Sequence, residues 1–162
     1  MGGSIPLGKA ETVSATRYWI FQANPSRYAI NDSLRREREE WWNLNQHASL
    51  VKPGDRVAIW LSGDDSGIYA IGTIIEGPVN RADSTQGQRY WTNPADGKRE
   101  KPRVKVHYDQ VIVNHPLYKA FLEADPQLWD LRVIRFPRGT NFPMTTTEWS
   151  ALKEWLPEEE KP

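Results

Sequence analysis

A chain of 162 residues, 38% of them hydrophobic, can bury one sizeable core and fits one domain better than two. It has no cysteine, which excludes a disulfide framework and a thiolate metal site and suits a reducing compartment. Its 21 basic and 21 acidic residues cancel, unlike the large basic excess of proteins that coat nucleic acid. No run approaches the roughly 20 apolar residues that cross a bilayer, and no signal peptide is evident, so we expect a cytoplasmic protein without membrane contact.

The N-terminal part predicts a leader, a strand and a helix. Residues 1–16 are small and polar, and we expect a flexible leader or an expression remnant. Residues 17–23, RYWIFQA, mix aromatic and β-branched residues as strands do. Good helix formers follow from residue 31 to about residue 42, with Asn31 or Asp32 as the N-cap.

The middle of the chain predicts a hairpin and a long loop. The segment VKPGDRVAIWLS predicts a turn at Pro53-Gly54-Asp55 followed by a strand, IYAIGTIIE predicts a second strand, and GDDSG between them is turn sequence. Residues 77–101 are rich in Asn, Asp, Gly and Gln. They are too long for a simple connection, and such loops are commonly functional.

The C-terminal part alternates predicted strands and short helices. PRVKVHYDQVIV and LRVIRF are predicted strands, and HPLYKAFLEADPQLW supplies helical turns between them. In TTTEWSALKEWLP, Thr145 and Glu148 have the spacing of a capping box that begins a helix. We therefore predict one α+β domain over residues 17–157, a small mixed barrel of five or six strands with short helices outside, followed by an acidic tail at 158–162.

Signals for catalysis are sparse in this sequence. His47, His107 and His115 are isolated, without the spacing of metal ligands, and no nucleophile elbow or phosphate loop is present. Asp64 and Asp65 fit a turn better than a catalytic pair. The lysines fall in predicted loops or on solvated faces. We therefore predict no catalytic residue, no metal and no cofactor.

Tryptophan and arginine are the residues that suggest binding. Among eight tryptophans, Trp42, Trp60 and Trp91 lie beside polar or small residues, where a core position is strained. Indole faces that stand apart can sandwich a planar ligand. Basic residues concentrate between residues 81 and 105 and recur at every third residue from 132 to 138, and we take both clusters as candidate phosphate contacts, with Arg89 and Arg99 singled out, although solvated faces explain such clusters equally well. The members are Arg81, Arg89, Lys98, Arg99, Lys101, Arg103, Lys105, Arg132, Arg135 and Arg138.

Four motifs in order resemble the EVE domain family, a branch of the PUA-like superfamily related to YTH domains. They are YWIFQANPSRYAI, WWNLNQH, KPGDRVAIWLSGDDSGIYAIG and RGTNFPMTTTEWSAL. The resemblance implies a PUA-like β-barrel whose pocket accepts a modified base flipped out of DNA or RNA. In YTH relatives an aromatic cage encloses the methyl group of an adenine, and EVE domains are linked to modified DNA bases.

By position, the resemblance also implies site residues. Trp42 would form the first aromatic wall and Trp91 the second, with Tyr90 or Tyr69 as replacements for Trp91. The other residues implied for the base pocket are Gln22, Asn24, Asn43, Trp60, Ser62 and Gly63. The motif RGTNF adds Arg138, Thr140 and Asn141 as contacts to the phosphate backbone, or as a turn that positions the last helix.

The adjacent Trp41 and Trp42 cannot both face one core, because neighbouring side chains diverge by about 100° on a helix and point to opposite faces of a strand. We expect Trp41 to turn inward and Trp42 to stand at the rim of the pocket, among the amides of Asn43, Asn45 and Gln46. In the competing arrangement Trp42 is the core residue and Trp41 is half-exposed.

The implied function is a binding module, not an enzyme, that reads a flipped modified base. We expect a monomer that binds modified DNA or RNA and passes recognition to an effector protein. Two alternatives stay open. One is an ASCH-like amidohydrolase that removes an acyl group from modified cytidine with a lysine, a threonine and a carboxylate, and the other is an adaptor that binds a protein.

Overall fold

The computed structural model describes residues 15–157 as a mixed β-sheet with short helices. The strands are β1 (Tyr18–Ala23), β2 (Glu39–Asn43), β3 (Arg56–Leu61), β4 (Gly67–Arg81), β5 (Lys101–Val111), β6 (Leu117–Tyr118) and β7 (Asn141–Met144). The helices are α1 (Ile30–Arg36), α2 (Thr85–Gln88), α3 (Pro94–Lys98), α4 (Lys119–Glu123), α5 (Arg132–Arg135) and α6 (Thr146–Trp155). The predicted α+β class is confirmed, with seven strands in the described residues where five or six were expected.

The strands form one sheet in the order β2-β5-β4-β3-β1-β7, with β6 added beside β4. Its pairs are antiparallel except for β1 and β3, which run parallel from Tyr18 beside Arg56 to Ala23 beside Leu61. Within residues 15–157 no ladder joins the edge strands β2 and β7, so the sheet is not closed as the predicted barrel would be. Side-chain amides bridge these two strands instead, as described below for Asn141 and Asn43.

Several predicted strands and the predicted helix cap are confirmed. The strand RYWIFQA, the hairpin of β3 and β4, and the strand beginning near Pro102 are present, although β4 continues to Arg81, five residues past its predicted end. In α6, Thr145 accepts a hydrogen bond from the backbone N–H of Glu148, and Glu148 accepts one from the N–H of Thr145. This reciprocal capping box satisfies two backbone donors at the start of the helix.

Three predicted elements are wrong. The helix expected to reach residue 42 ends at Arg36, because Glu37 takes an extended backbone and residues 39–43 pair with β5. The segment LRVIRF is the short helix α5 and not a strand. The expected loop at 77–101 contains the end of β4 and the helices α2 and α3, since β4 and β5 stay paired as far as Arg81 and Lys101.

Alternating side chains divide the buried residues between the two faces of the sheet. In β3, Val57, Ile59 and Leu61 point to one face, while Ala58 and Trp60 point to the other. The first core lies on the face with α1 and includes Trp19, Phe21, Tyr28, Leu34, Trp42, Val104, Val106 and Tyr108. The second core lies on the face with α4, α5 and α6 and includes Ile20, Trp60, Leu122, Val133, Trp149 and Leu152.

Two sequence expectations concern the ends of the chain. The predicted acidic tail at 158–162 and nearly all of the predicted leader, residues 1–14, lie outside the described residues. Between residues 15 and 157, no helix is both long enough and apolar enough to span a bilayer.

Candidate functional site

A cavity of about 470 Å³ opens where the ends of β1 and β2 meet the segment between β4 and β5. Its volume lies in the range of about 300 to 1,000 Å³ that small-molecule sites occupy. The lining residues come from parts of the chain far apart in sequence: Gln22, Ala23, Asn24, Arg27, Tyr28, Glu40, Trp41, Trp42, Asn43, Asn45, Ser62, Trp91, Asp96, Arg99, Lys101, Pro137, Gly139 and Thr140.

Four aromatic residues, Tyr28, Trp41, Trp42 and Trp91, contribute to the cavity lining. Trp91 meets Tyr28 edge-on at 4.8 Å between ring centroids, and a backbone bridge joins the same two residues. Trp42 packs on Phe21 with centroids 5.9 Å apart. Edge-on and tilted pairs of this kind stabilise ring positions, so both indoles are held in place beside the cavity.

Trp91 is held from behind by residues of its own segment. Its indole Nε1 donates to Oδ2 of the buried Asp83 at 2.8 Å. Gly97 lies so close that a Cβ there would stand 2.7 Å from Cδ1 of Trp91, which only glycine avoids without displacement. The indole is therefore positioned by an acceptor on one side and by backbone on the other.

The two tyrosines considered as replacements for Trp91 do not line the cavity. Tyr90 is buried and donates its hydroxyl to Glu37 at 2.8 Å. Tyr69 is also buried, and its hydroxyl donates to the carbonyl oxygen of Asp65 at 2.6 Å. Of the three candidates, Trp91 is the one in contact with the cavity.

The tryptophan pair adopts the competing arrangement of the two considered from sequence. Trp42 is 8% exposed in the first core, and its Nε1 donates to the hydroxyl of Tyr108 at 2.9 Å. Trp41 is half-buried on the other face of β2, where the guanidinium of Arg81 lies 4.2 Å from the ring centroid. The expectation of an inward Trp41 and a rim Trp42 is wrong, because β2 is a strand paired with β5 and its alternation sends Glu40 and Trp42 inward.

Glu40 is a buried carboxylate at the cavity wall, and three hydroxyls donate to it. Tyr28 donates to Oε1 at 2.5 Å, and Tyr108 and Ser33 donate to Oε2 at 2.5 and 2.9 Å. Burial raises the pKa of Glu40 to about 7, against the lowering effect of these hydrogen bonds. The side chain therefore changes charge near neutral pH.

The raised pKa makes stability fall as pH increases. The protonated form of Glu40 is favoured in the folded state, so its contribution is complete below pH 4.5, the unfolded value, and is lost as pH rises through 7. We expect the free energy of unfolding to fall by about 2 to 3 kcal/mol more in the wild type than in Glu40→Gln between pH 5 and 8. Urea titrations across this range test it, and parallel curves for the two proteins would contradict it.

The amide of Asn43 is oriented by a buried arginine. Arg103 is fully buried, and its Nη1 donates to Oδ1 of Asn43. Its other donors reach the backbone carbonyls of Arg81, Asp96 and Arg99 at 2.9, 3.3 and 3.0 Å. A guanidinium can only donate, so the oxygen of Asn43 must face Arg103 and its NH₂ group is the end available to a ligand.

From sequence, Arg103 was one of seven candidate phosphate contacts, and its buried position was not predicted. It alternates in a charged run with Lys101 and Lys105, and no periodic pattern separates it from these solvated neighbours. Burial lowers the pKa of its guanidinium. Its contacts join the ends of β4 and α3 to β2, so it holds the segment that carries Trp91 against the sheet.

A second set of amides ties the end of β2 to the start of β7. Gln46 accepts from the backbone N–H groups of Thr140 and Asn141 at 2.8 and 3.0 Å. Asn141 accepts in return from the N–H groups of Asn45 and Gln46 and donates to the carbonyl of Asn43 at 3.0 Å. This amide network of Asn43, Asn45, Gln46, Thr140 and Asn141 holds the cavity wall in place where no strand pairing among the described residues closes the sheet.

The structure brings together eight of the thirteen residues that the sequence analysis placed in the site. Those in the cavity lining are Gln22, Asn24, Trp42, Asn43, Ser62, Trp91, Arg99 and Thr140. Those outside it are Trp60, Gly63, Arg89, Arg138 and Asn141.

Three of the five residues outside the cavity have identifiable reasons for their positions. Trp60 is buried in the second core, since its place in β3 turns it to the opposite face of the sheet. Gly63 has a φ of +105° and serves the hairpin turn, a conformation that glycine adopts at little cost. Asn141 is buried in the amide network, which favours a structural role for this residue of the RGTNF motif over a contact to the phosphate backbone.

Several lining residues were missed by sequence reasoning. Glu40 was read as part of a helix, and Tyr28, Arg27 and Asp96 were not singled out. Lys101 was predicted only as a member of the basic cluster, in a loop or on a solvated face, and it lines the cavity. These residues become neighbours only when β2 pairs with β5.

The histidines lie apart from this cavity. His47 packs on Trp19 with ring centroids 5.4 Å apart, and Nδ1 of His107 lies 3.3 Å from a carboxylate oxygen of Glu39. In the part of the chain that the structure describes, no three His, Asp or Glu side chains group as metal ligands do.

Solved structures share this fold. A hypothetical protein from Leishmania major matches with a TM-score of 0.63 and 14% identity, over 86% of this chain and 94% of that one. Human THYN1 protein, in complex with DNA containing 5-methylcytosine, matches with a TM-score of 0.62 and 15% identity, over 91% and 100%. The ZmASCH protein from Zymomonas mobilis matches with a TM-score of 0.51 and 10% identity, over 86% and 98%.

At these identities the structural likeness shows a common fold alone. No curated protein matches the sequence. The sequence pattern that defines the EVE domain matches residues 17–155, which spans β1 to α6 and every residue of the cavity lining. The chain therefore belongs to the EVE domain family.

Proposed function

We propose that the cavity binds a modified base flipped out of DNA. The observation that carries the proposal is the cavity itself, in which the indoles of Trp42 and Trp91 stand beside the oriented amide of Asn43. Stacking on an aromatic face contributes about 1 to 3 kcal/mol per base, and an amide donor can pair with an acceptor on the base edge. DNA is favoured because THYN1, which shares this fold, is in complex with DNA that contains 5-methylcytosine.

The polar groups of the cavity favour a base whose edge presents acceptors. Asn43 offers its NH₂ group, as argued above. In Asn24 the side-chain oxygen accepts from the N–H and hydroxyl of Ser26 at 2.9 and 2.7 Å, which again leaves the NH₂ group for a ligand. In Gln22 the opposite end of the amide is available. Its Nε2 donates to the carbonyls of Pro137 and Gly139, which leaves its oxygen for a ligand.

The experiment is binding to a panel of otherwise identical oligonucleotides. Single strands of DNA and RNA would carry one central 5-methylcytosine, 5-hydroxymethylcytosine, N6-methyladenine or unmodified base, with affinity measured by fluorescence anisotropy. We expect at least one modified DNA strand to bind about tenfold more tightly than its unmodified counterpart, which corresponds to about 1.4 kcal/mol. Equal affinity across the panel would refute the proposal, and preference for modified RNA alone would reassign the polymer.

An amidohydrolase is the second candidate, and one observation favours it. Lys101, Thr140 and Glu40 all line the cavity, so a lysine, a threonine and a carboxylate are present together. Burial, with Arg103 and Arg99 nearby, lowers the pKa of Lys101. Against this candidate, both oxygens of Glu40 already accept hydroxyl donors, and Oγ1 of Thr140 accepts from Asn45 at 2.7 Å.

For this reason we expect no hydrolysis of N4-acetylcytidine by the protein. Chromatography after prolonged incubation would show the nucleoside unchanged, because the hydroxyl and carboxylate that the reaction needs are engaged by other side chains. Release of acetate and cytidine by the wild type, lost in Lys101→Ala, would make the enzyme the better description.

A further inference from the structure

We propose that Arg27, Arg99 and Lys101 form a phosphate site at the mouth of the cavity, which binds the phosphate of the nucleotide whose base enters it. The inference rests on the proposed function and extends it from the base to the backbone. Arg99 and Lys101 belong to the basic cluster that was a candidate from sequence, whereas Arg27 comes from the structure.

Asp96 places the two arginines side by side. Its Oδ2 lies 3.5 Å from Nη2 of Arg27, and its Oδ1 lies 3.7 Å from Nη1 of Arg99. Both arginine side chains are more than 60% exposed, while that of Asp96 is 12% exposed. Each guanidinium contacts the carboxylate through one nitrogen, so its remaining N–H donors are available to an anion.

The charge at the mouth is unbalanced. Arg27 and Arg99 share the single carboxylate of Asp96, and among the described residues no acidic side chain lies within 4 Å of the Lys101 ammonium. Burial and the neighbouring guanidiniums of Arg103 and Arg99 lower the pKa of Lys101, as expected where positive charge is in excess. Glu40, the other acid in the lining, is buried within the first-core wall and changes charge near pH 7.

The geometry favours a phosphate over other anions. Paired guanidiniums match the several oxygens of a phosphate through charge-assisted hydrogen bonds. The site adjoins the cavity in which Trp91 presents its ring, so one ligand with a flat ring and an attached phosphate reaches both. Arg103 keeps the site in place, because it donates to the backbone carbonyls of Asp96 and Arg99.

The test compares ligands that separate the base from the phosphate. Calorimetry would use 5-methyl-2′-deoxycytidine, its 3′- and 5′-monophosphates, and inorganic pyrophosphate with the wild type, Arg27→Gln/Lys101→Gln and Lys153→Gln. Lys153 is the matched control, an exposed lysine of α6 outside the cavity. We expect one monophosphate to bind the wild type about tenfold more tightly than the nucleoside. That ratio should fall toward one in the double variant and stay unchanged in Lys153→Gln.

The outcomes distinguish this site from the proposed function. Equal affinity of nucleoside and both monophosphates in the wild type, or a ratio that survives in the double variant, would overturn the phosphate site while the base pocket stands. Binding of pyrophosphate and of monophosphate without any binding of the nucleoside, lost in the double variant, would support the phosphate site and overturn a pocket for 5-methylcytosine. Failure of all four ligands to bind would overturn the phosphate site, while the oligonucleotide panel still decides whether another modified base is bound.

Discussion

Replacing Trp42 with alanine is expected to lower the free energy of unfolding by about 3 to 5 kcal/mol. The indole is 8% exposed, packs on Phe21 in the first core and donates to the hydroxyl of Tyr108. Alanine would leave a cavity that the paired strands β2 and β5 cannot close, and would remove a donor from the network around Glu40. Urea unfolding followed by circular dichroism measures the effect.

Trp41→Ala is the matched comparison, since it removes the same side chain one residue away. Trp41 is half-buried on the opposite face, and its main partner is the guanidinium of Arg81. Loss of this cation–π contact and of partial burial is expected to cost about 1 kcal/mol. A larger loss in Trp41→Ala than in Trp42→Ala would reverse the assignment of the core residue.

Trp42 is buried in the core and also contacts the cavity, so a test of its role in binding needs a milder substitution than alanine. Trp42→Phe keeps an aromatic ring against Phe21 and loses the hydrogen bond to Tyr108. If Trp42 is a wall of the base site, this variant should remain folded and bind the modified strand more weakly, because phenylalanine offers a smaller stacking face.

Local sequence was sufficient for the elements that local chemistry determines. The aromatic and β-branched residues of RYWIFQA, the turn GDDSG and the capping box of Thr145 and Glu148 each encode their structure within about ten residues, and each is confirmed. The family motifs also contain cavity residues such as Asn24 and Asn43, and the family resemblance by position led to Trp91.

Long-range pairing explains what the sequence could not predict. Residues 37–43 have helix formers in their first half, and the strand forms because Glu40 and Trp42 pair with Val106 and Val104, more than 60 residues away. The same pairing moves Trp42 into the core and brings Glu40 to the cavity. For Trp60 the strand was predicted correctly, but the side of the sheet to which its side chain points was not. Both faces of this strand are covered by buried residues, so a tryptophan fits on either side.

The segment between β4 and β5 shows how polar residues can build an aromatic wall. Asp83 and Arg103 are both buried, and each serves this segment: Asp83 accepts from the indole of Trp91, and Arg103 holds the carbonyls at the end of α3. Burial raises the pKa of Asp83 and lowers that of Arg103, which shows that burying either charged group costs free energy. Their hydrogen bonds position Trp91. Because Trp91 is less buried than Trp42, its replacement tests the base site more directly.

Trp91→Ala is expected to reduce affinity for the preferred modified strand by about ten- to a hundredfold, the equivalent of one lost stacking contact of 1 to 3 kcal/mol. Trp91 is half-buried, so its removal should destabilise the fold less than Trp42→Ala does. Affinity for the unmodified strand should change little, since the proposed phosphate contacts at the mouth of the cavity are untouched. The measurement is anisotropy with the paired strands, on protein shown to be folded by circular dichroism.

Trp155→Ala is the matched control for this prediction. Trp155 is likewise a partly exposed indole that donates to an aspartate, Asp125 at 2.8 Å, but it lies on α6 over the second core. Its loss should leave discrimination between modified and unmodified strands unchanged. If Trp91→Ala retains full discrimination, or if Trp155→Ala loses as much, the indole of Trp91 does not stack on the base, and recognition must then rest on Trp42 and the amides of Asn24 and Asn43.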